Sequence, residues 1–209
     1  MDISNRRHIL MELGVKEDIL LSIQNYMNLL WKTNEKLNLV SRKMTIDEFI
    51  DNHVVDSFLP LKYFPKDKVM QVADFGSGGG LPGVLFALQF PKMHFHLFEK
   101  SPKKQDFLRE CQRNITPNIT IHGEINPSDI SGVDLIMARA FKPLDVLIEV
   151  SRDYFLSGGA YFLFKGRKDK IEEEILIAQK KFKDFKEIKA QIIPLHSPTL
   201  EVERHLVVI

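Results

Sequence analysis

The stretch VADFGSGGGLPG, residues 72–83, places Gly76, Gly78, Gly79, Gly80 and Gly83 directly behind the apolar run VMQVAD (69–74). Glycine permits backbone angles and close approaches that other residues do not. A tight turn from strand to helix needs one or two glycines. This many imply a ligand laid against the backbone, and the rest of the chain must say which one.

Three frames compete. A P-loop requires a Lys followed by Ser or Thr after its last glycine, and Gly83 is followed by VLFA. The dinucleotide pattern G-x-G-x-x-G is met by Gly78, Gly80 and Gly83, but it starts four residues after Asp74 and contains Pro82. Counted from the strand end, Gly76 and Gly78 are followed by Leu81, and the pattern fails. The remaining frame is acid-x-Gly-x-Gly-x-Gly: Asp74, Gly76, Gly78, Gly80. The next apolar run, HFHLFE, ends in Glu99, 19 residues beyond Gly80. That is close to the spacing of roughly 20 residues at which a carboxylate reaches ribose hydroxyls. Two acids around a glycine backbone suit a ligand with a ribose and a cationic end but no pyrophosphate. S-adenosylmethionine is such a ligand.

Outward from this stretch the chain alternates. LPGVLFALQF reads as a helix, MHFHLFE as a strand, and SPKKQDFLRECQRN as a helix with Ser101 at its N-cap and Pro102 at its first position. Then follow the strands NITIHG and VDLIMAR, the helix KPLDVLIEVSRDYFL, the strand AYFLFKG and a charged helix over 168–184. Two strand-like runs, EIKAQIIPLHS and EVERHLVVI, close the chain. Alternation predicts an α/β fold with a mostly parallel sheet and helices on both faces. The two final strands, with no helix between them, predict an antiparallel hairpin at one edge. Before residue 69, EDILLSIQNYMNLLWKT (17–33) has helical apolar spacing. Thr45 and Glu48 form a capping box ahead of a further helix, FIDNHVVDSFL. Residues 1–60 are expected to pack as a helical cap on an α/β core over 69–209, together one domain.

Composition narrows the class. The 209 residues suffice for one domain with a real core. No run of about 18 apolar residues exists to span a membrane, and MDISNRRHILMELGVKED lacks the apolar centre of a signal peptide, so a cytoplasmic location is expected. With Cys111 alone, a disulfide framework and a cysteine zinc site are excluded, and no metal is expected. Cys111 itself reads as a buried structural thiol. Net charge is +1, so any basic patch for nucleic acid is local.

Taken together, LNLVS (37–41), HVVDS (53–57), DFGSGGGLPG (74–83), ARAF (138–141), LFKG (163–166) and the closing ERHLVVI resemble the bacterial ribosomal RNA small-subunit methyltransferases of the G type, also called glucose-inhibited division protein B. The motifs run in the family's order over nearly the whole chain. The resemblance implies a Rossmann-like methyltransferase sheet of seven strands with an antiparallel last strand. It implies methyl transfer from S-adenosylmethionine to N7 of a guanine in 16S ribosomal RNA, free or in a small-subunit particle. It also implies cofactor contacts at Asp74, Gly76, Gly78, Gly80, Leu81, Glu99, Glu124, Ile125 and Arg139. Substrate contacts are implied at Asn38, Arg42, His53, Asp56, Ser57 and Lys165. Val40 stands where the family usually has Thr, near the expected substrate mouth, and Lys100 follows Glu99 where a small residue is usual.

Guanine N7 carries a lone pair and no proton, so no general base is required, and positioning supplies most of the rate. The turn ARAF lacks the tandem proline of exocyclic-amine methyltransferases. Arg139 reads either as an arginine paired with a surface acid or as one that faces a ligand anion, the methionine carboxylate of the cofactor, which we favour, or an RNA phosphate. His53 and Asp56, one helical turn apart, read either as a His–Asp helix cap or as a pocket border. Lys165 reads as a solvated strand end or as a contact to RNA phosphate. Two rival classes are a nicotinamide-dependent oxidoreductase and a non-catalytic RNA-binding or assembly protein on the same fold. The first has no recognisable hydride-transfer partner in the sequence, and the intact set of Asp74, glycines and Glu99 speaks against the second.

Overall fold

The computed structural model describes residues 2–67, 70–182 and 187–209. Positions 69, 183 and 184, assigned from the sequence to the first strand and the last helix, lie outside the described residues. The N-terminal part contains α1 (Arg7–Glu12), α2 (Leu20–Asn34) and α3 (Ile46–Phe49); α3 runs on through a π-helical stretch, Ile50–Val55, into α4 (Asp56–Phe58). Then come β1 (Gln71–Phe75), α5 (Gly83–Gln89), β2 (His94–Phe98), α6 (Pro102–Asn114), β3 (Ile119–His122) and β4 (Leu135–Arg139). The chain closes with α7 (Leu144–Val150), α8 (Arg152–Leu156), β5 (Ala160–Lys165), α9 (Lys168–Lys181), β6 (Gln191–Leu195) and β7 (Arg204–Val208).

One seven-stranded sheet has the order β3-β2-β1-β4-β5-β7-β6. Strands β1 to β5 pair in parallel, and β7 is antiparallel to both β5 and β6. The closing hairpin therefore sits where the sequence placed it, with Pro194 on the edge strand, where a missing amide donor is tolerated.

Strand side chains alternate between two cores. Val72, Leu135, Met137, Phe162 and Phe164 join Tyr26 and Leu30 of α2, Phe86 of α5 and Phe107 of α6. Ala73, Phe75, Ile136, Ala138, Tyr161 and Leu163 join Leu147 of α7, Phe155 of α8 and Ala178 of α9. The N-terminal helices thus complete one face of the sheet, packing on α5 and on one another, with the Trp31 ring of α2 edge-on to Phe49 of α3. Asp74 alternates with Ala73 and Phe75 and so points toward α5.

Local details differ from expectation in three places. The capping box forms, with the Glu48 amide donating to Thr45 Oγ1 and the Thr45 amide to Glu48 Oε2. The helix it starts widens into π geometry over Ile50–Val55, however. Ser101 does occupy the N-cap of α6, but its side chain caps nothing; its amide donates to Glu99 Oε1. The helix read over 142–156 breaks at Ser151, whose Oγ donates to the Leu147 carbonyl and pairs with the Tyr161 hydroxyl. The hydroxyl takes the carbonyl that the Ser151 amide would use in a regular helix, and that amide turns to the Ile148 carbonyl instead.

Candidate active site

Strand order reverses between β1 and β4, so the loops that follow these strands part and leave a crevice at their carboxyl ends. Gly76 opens one wall. Its φ is +74°, and a Cβ there would lie 2.5 Å from the Phe141 ring, so only glycine lets Phe141 close down on it. Phe141 reaches across because Ala140 has φ +51°. A left-handed alanine costs of the order of 1 kcal/mol and marks a built turn.

The glycine loop is held by backbone bonds. The amides of Gly76 and Ser77 both donate to the Phe98 carbonyl, each at 3.0 Å. Glu99 is buried and receives the Gly78 amide on Oε2 (3.0 Å) and the Ser101 amide on Oε1 (2.8 Å). Each oxygen keeps lone-pair capacity for a further donor such as a ribose hydroxyl. Gly80 and Leu81 both donate to the Ser77 carbonyl.

Asp74 lies under this loop with both carboxylate oxygens buried; the Ser77 side chain and the Gly83 amide are the nearest donors, and among the described residues neither oxygen receives a hydrogen bond of regular geometry. Gly83 must be glycine, since a Cβ there would lie 2.5 Å from Asp74 Oδ2. Burial pushes the Asp74 carboxyl up to about 7; Ser77 and Gly83, and then the charge of Arg139, oppose the shift without cancelling it. Among the described residues no ion pair supplies the ionised form with a counter-charge. A second hold on the loop was invisible in the sequence. Tyr26, read there only as helix core, donates its hydroxyl to the Gly79 carbonyl at 2.6 Å. Aromatic spacing gives no sign of a hydroxyl's partner.

Beyond β4 the surroundings are charged and paired. Arg139 donates from one guanidinium nitrogen to Ser57 Oγ (3.0 Å) and the His53 carbonyl (3.3 Å), and from the other to the Asn52 carbonyl (2.7 Å) and His53 Nδ1 (3.1 Å). Asp56 Oδ2 lies 3.4 Å from it, and Arg204 of β7 donates to Asp56 Oδ1 at 2.5 Å. Burial lowers the pKa of Arg139, and Asp56 opposes the shift. His53 is held near 4 by burial and then by Arg139, so it is neutral, with Nδ1 accepting and a buried Nε2 that has no partner. Lys165 Nζ lies 2.6 Å from Glu174 Oε2. A cavity of about 440 Å³ opens among Asp56, Arg139, Phe141, Lys165, Glu174 and Arg204.

The structure thus brings Asp74, Gly76, Gly78, Gly80, Leu81 and Glu99 into one wall, and Arg139, His53, Asp56, Ser57 and Lys165 into another. Three expectations change. Arg139 has an acid of the chain beside it, as in the paired reading, but that acid, Asp56 of the N-terminal part, is buried rather than at the surface. No His–Asp cap forms, because His53 and Asp56 both turn to Arg139. Lys165 ends its strand in an ion pair. The π-helical stretch contributes here, since Asn52 and His53 within it offer their carbonyls to Arg139. Glu124 is exposed and Ile125 half-buried in the loop after β3, and Asn38 and exposed Arg42 lie in the loop after α2. Among the described hydrogen bonds and ion pairs, none ties these four side chains to either wall. Val40 is buried in the first core, with its amide on Asn34 Oδ1, and not at a substrate mouth. Cys111 is buried, and burial pushes its thiol far up, as expected of a structural cysteine.

Comparison with known proteins decides the family. The family described as rRNA small subunit methyltransferase G matches residues 19–207. The chain belongs to that family. It is an enzyme that methylates small-subunit ribosomal RNA. Ribosomal RNA small subunit methyltransferase G 1 of Bdellovibrio bacteriovorus is 57% identical over 98% of this chain and 97% of its own length. The methyltransferase G of Escherichia fergusonii is 33% identical over 88% and 85%. Among solved structures, a METTL16 methyltransferase domain superposes with a TM-score of 0.56 at 13% identity, covering 88% of this chain and 78% of that one. The N-terminal domain of human METTL16 in complex with SAH gives 0.51 at 12% identity, over 84% and 77%. At these identities the likeness establishes the fold alone, a Rossmann-like methyltransferase. Among the described residues no helix is long and apolar enough to cross a membrane, and no group of three or more His, Cys, Asp or Glu is arranged to hold a metal.

Proposed function

We propose that this enzyme transfers the methyl group of S-adenosylmethionine to N7 of a guanine in 16S ribosomal RNA, in the cytoplasm, on free RNA or on a small-subunit particle. The observation that carries the reading is the pair of walls at the β1/β4 crevice. One is a glycine loop over a buried carboxylate with no ion-pair partner among the described residues; the other is a cavity of about 440 Å³ lined by the ion-paired side chains of Arg139, Asp56, Arg204, Lys165 and Glu174.

The residues present suit the cofactor. Asp74 offers buried negative charge that a cationic ligand would stabilise, Gly76 and Gly78 give backbone access, and Glu99 retains acceptor capacity for ribose hydroxyls. Bound there, S-adenosylmethionine supplies an electrophilic methyl group on a sulfonium. Guanine N7 has a free lone pair to accept that group and no proton to lose. No proton moves. This agrees with a cavity whose carboxylates, Asp56 and Glu174, are both engaged in ion pairs. Arg139 holds the N-terminal helices against the end of β4 and so shapes the wall between cofactor and base.

Ribosomal RNA from cells with and without the protein tests the reading. N7 methylation makes a cationic base that is open to reduction and strand cleavage. Cleavage at one guanine is expected in wild-type RNA and absent from the deletion strain. Identical patterns would overturn the proposal.

A further inference from the structure

We propose that the Lys165–Glu174 ion pair selects guanine over adenine by reading the edge that carries O6 and N1. The inference rests on taking the cavity between β4, β5 and β7 as the acceptor-base pocket.

Both side chains line that cavity, Lys165 17% and Glu174 26% exposed, with 2.6 Å between Nζ and Oε2. They are sheltered enough for unmatched polar atoms to cost free energy. Of the other charged residues of the cavity wall, Arg139, Asp56 and Arg204 already satisfy one another, and Lys142 is exposed at the rim. Lys165 and Glu174 form a separate cation–anion couple, one hydrogen bond wide. Guanine presents an acceptor, O6, beside a donor, N1–H. Adenine presents a donor, its 6-amino group, beside an acceptor, N1. An ammonium next to a carboxylate fits the first order and opposes the second at both atoms. N7 lies on the opposite flank of O6 from N1, so a base held this way turns N7 away from Glu174 and leaves it open to methyl transfer.

The couple is also fixed in place. Glu174 Oε2 receives the Leu144 amide at the start of α7 (3.0 Å) as well as Lys165, and Lys165 Nζ reaches the Lys142 carbonyl at 3.4 Å. These bonds use Oε2; Oε1 is the oxygen presented to a base. The same bonds define the rival role, in which Glu174 only caps α7 and neutralises Lys165.

Glu174→Gln separates the two roles. Its amide oxygen can still receive the Leu144 amide, but its amino group puts a donor where the carboxylate accepted N1–H. The acceptors are small subunits, and RNA extracted from them, from a strain lacking the enzyme, with guanine or adenine at the target position. We expect kcat/KM on guanine to fall about tenfold or more in the variant, and the guanine-to-adenine preference to shrink by a similar factor. Melting temperature and S-adenosylhomocysteine affinity should hold. An unchanged preference, or an equal loss on both acceptors, overturns the inference in favour of capping. Absence of 7-methylguanine from the wild-type reaction would overturn the acceptor-pocket reading and this inference with it.

Discussion

On the β1 side of the crevice, Asp74 keeps two buried carboxylate oxygens with no ion-pair partner among the described residues. On the β4–β5 side, Asp56 and Glu174 are each matched to a cation of the same chain. The glycine wall is built from backbone and lacks charge balance of its own. The cavity wall is built from side chains and is complete before any ligand arrives. A site of the first kind gains from a cation, which relieves a strained carboxylate. A site of the second kind keeps its shape unaided, and a ligand enters by competing with existing bonds.

The comparison breaks first at Arg139. Arg139→Ala removes one of two cations from buried Asp56 and strips partners from the Asn52 and His53 carbonyls. Loss of one member of a buried charge network costs about 3 to 5 kcal/mol, seen as a fall in melting temperature of roughly 10 °C for a chain of this size. Affinity for S-adenosylhomocysteine, measured well below the melting point, should change by less than a few-fold. Normal melting with collapsed cofactor affinity would move Arg139 to the glycine wall.

Asp74 sharpens the contrast through pH. Its pKa rises on folding from the ordinary carboxylate range to about 7, so the folded chain retains a proton that the unfolded chain releases. The stability it contributes is complete below about pH 4 and is lost as pH climbs from about 4 to 7. Asp74→Asn should flatten that slope. The ligand-free variant would then be more stable than wild type at pH 8, by up to about 4 kcal/mol at roughly 1.36 kcal/mol per pKa unit, yet bind S-adenosylmethionine at least tenfold more weakly. Denaturant titrations at pH 5 and pH 8 read the first effect and calorimetry the second. An Asp74→Asn protein with the same pH slope as wild type would show that Asp74 is compensated.

The smallest effect is expected at Tyr26. Tyr26→Phe deletes one hydrogen bond to Gly79, worth about 1 kcal/mol. A loosened glycine loop raises the KM for S-adenosylmethionine a few-fold and leaves kcat near wild type. Lower melting with an unchanged KM would reduce the tyrosine to packing.

The glycine wall was legible because its chemistry is local. Asp74, the alternate glycines and Glu99 lie at strand ends marked by apolar runs, and spacing alone placed them together. The other wall was legible in membership but not in wiring. Arg139, Asp56, His53 and Lys165 were singled out by resemblance to the family, whereas their partners come from stretches far away in sequence. Arg204 joins Asp56 across 148 residues, and Arg139 joins Ser57 across 82. Glu174 sat in a mixed-charge helix that reads from sequence as a solvated face, and only the approach of α9 to β5 brings it to Lys165.

The sequence by itself determined the alternation of strands and helices, the antiparallel close of the sheet and the carboxylate-and-glycine loop, because periodicity, turn chemistry and glycine's freedom act over a few residues. Only the tertiary structure decided that Asp74 is left without an ion-pair partner among the described residues, that Arg139 is claimed by the N-terminal helices and that Tyr26 holds the loop. Burial and hydrogen-bond partnership are set by which distant surfaces meet, and a linear pattern does not carry that information.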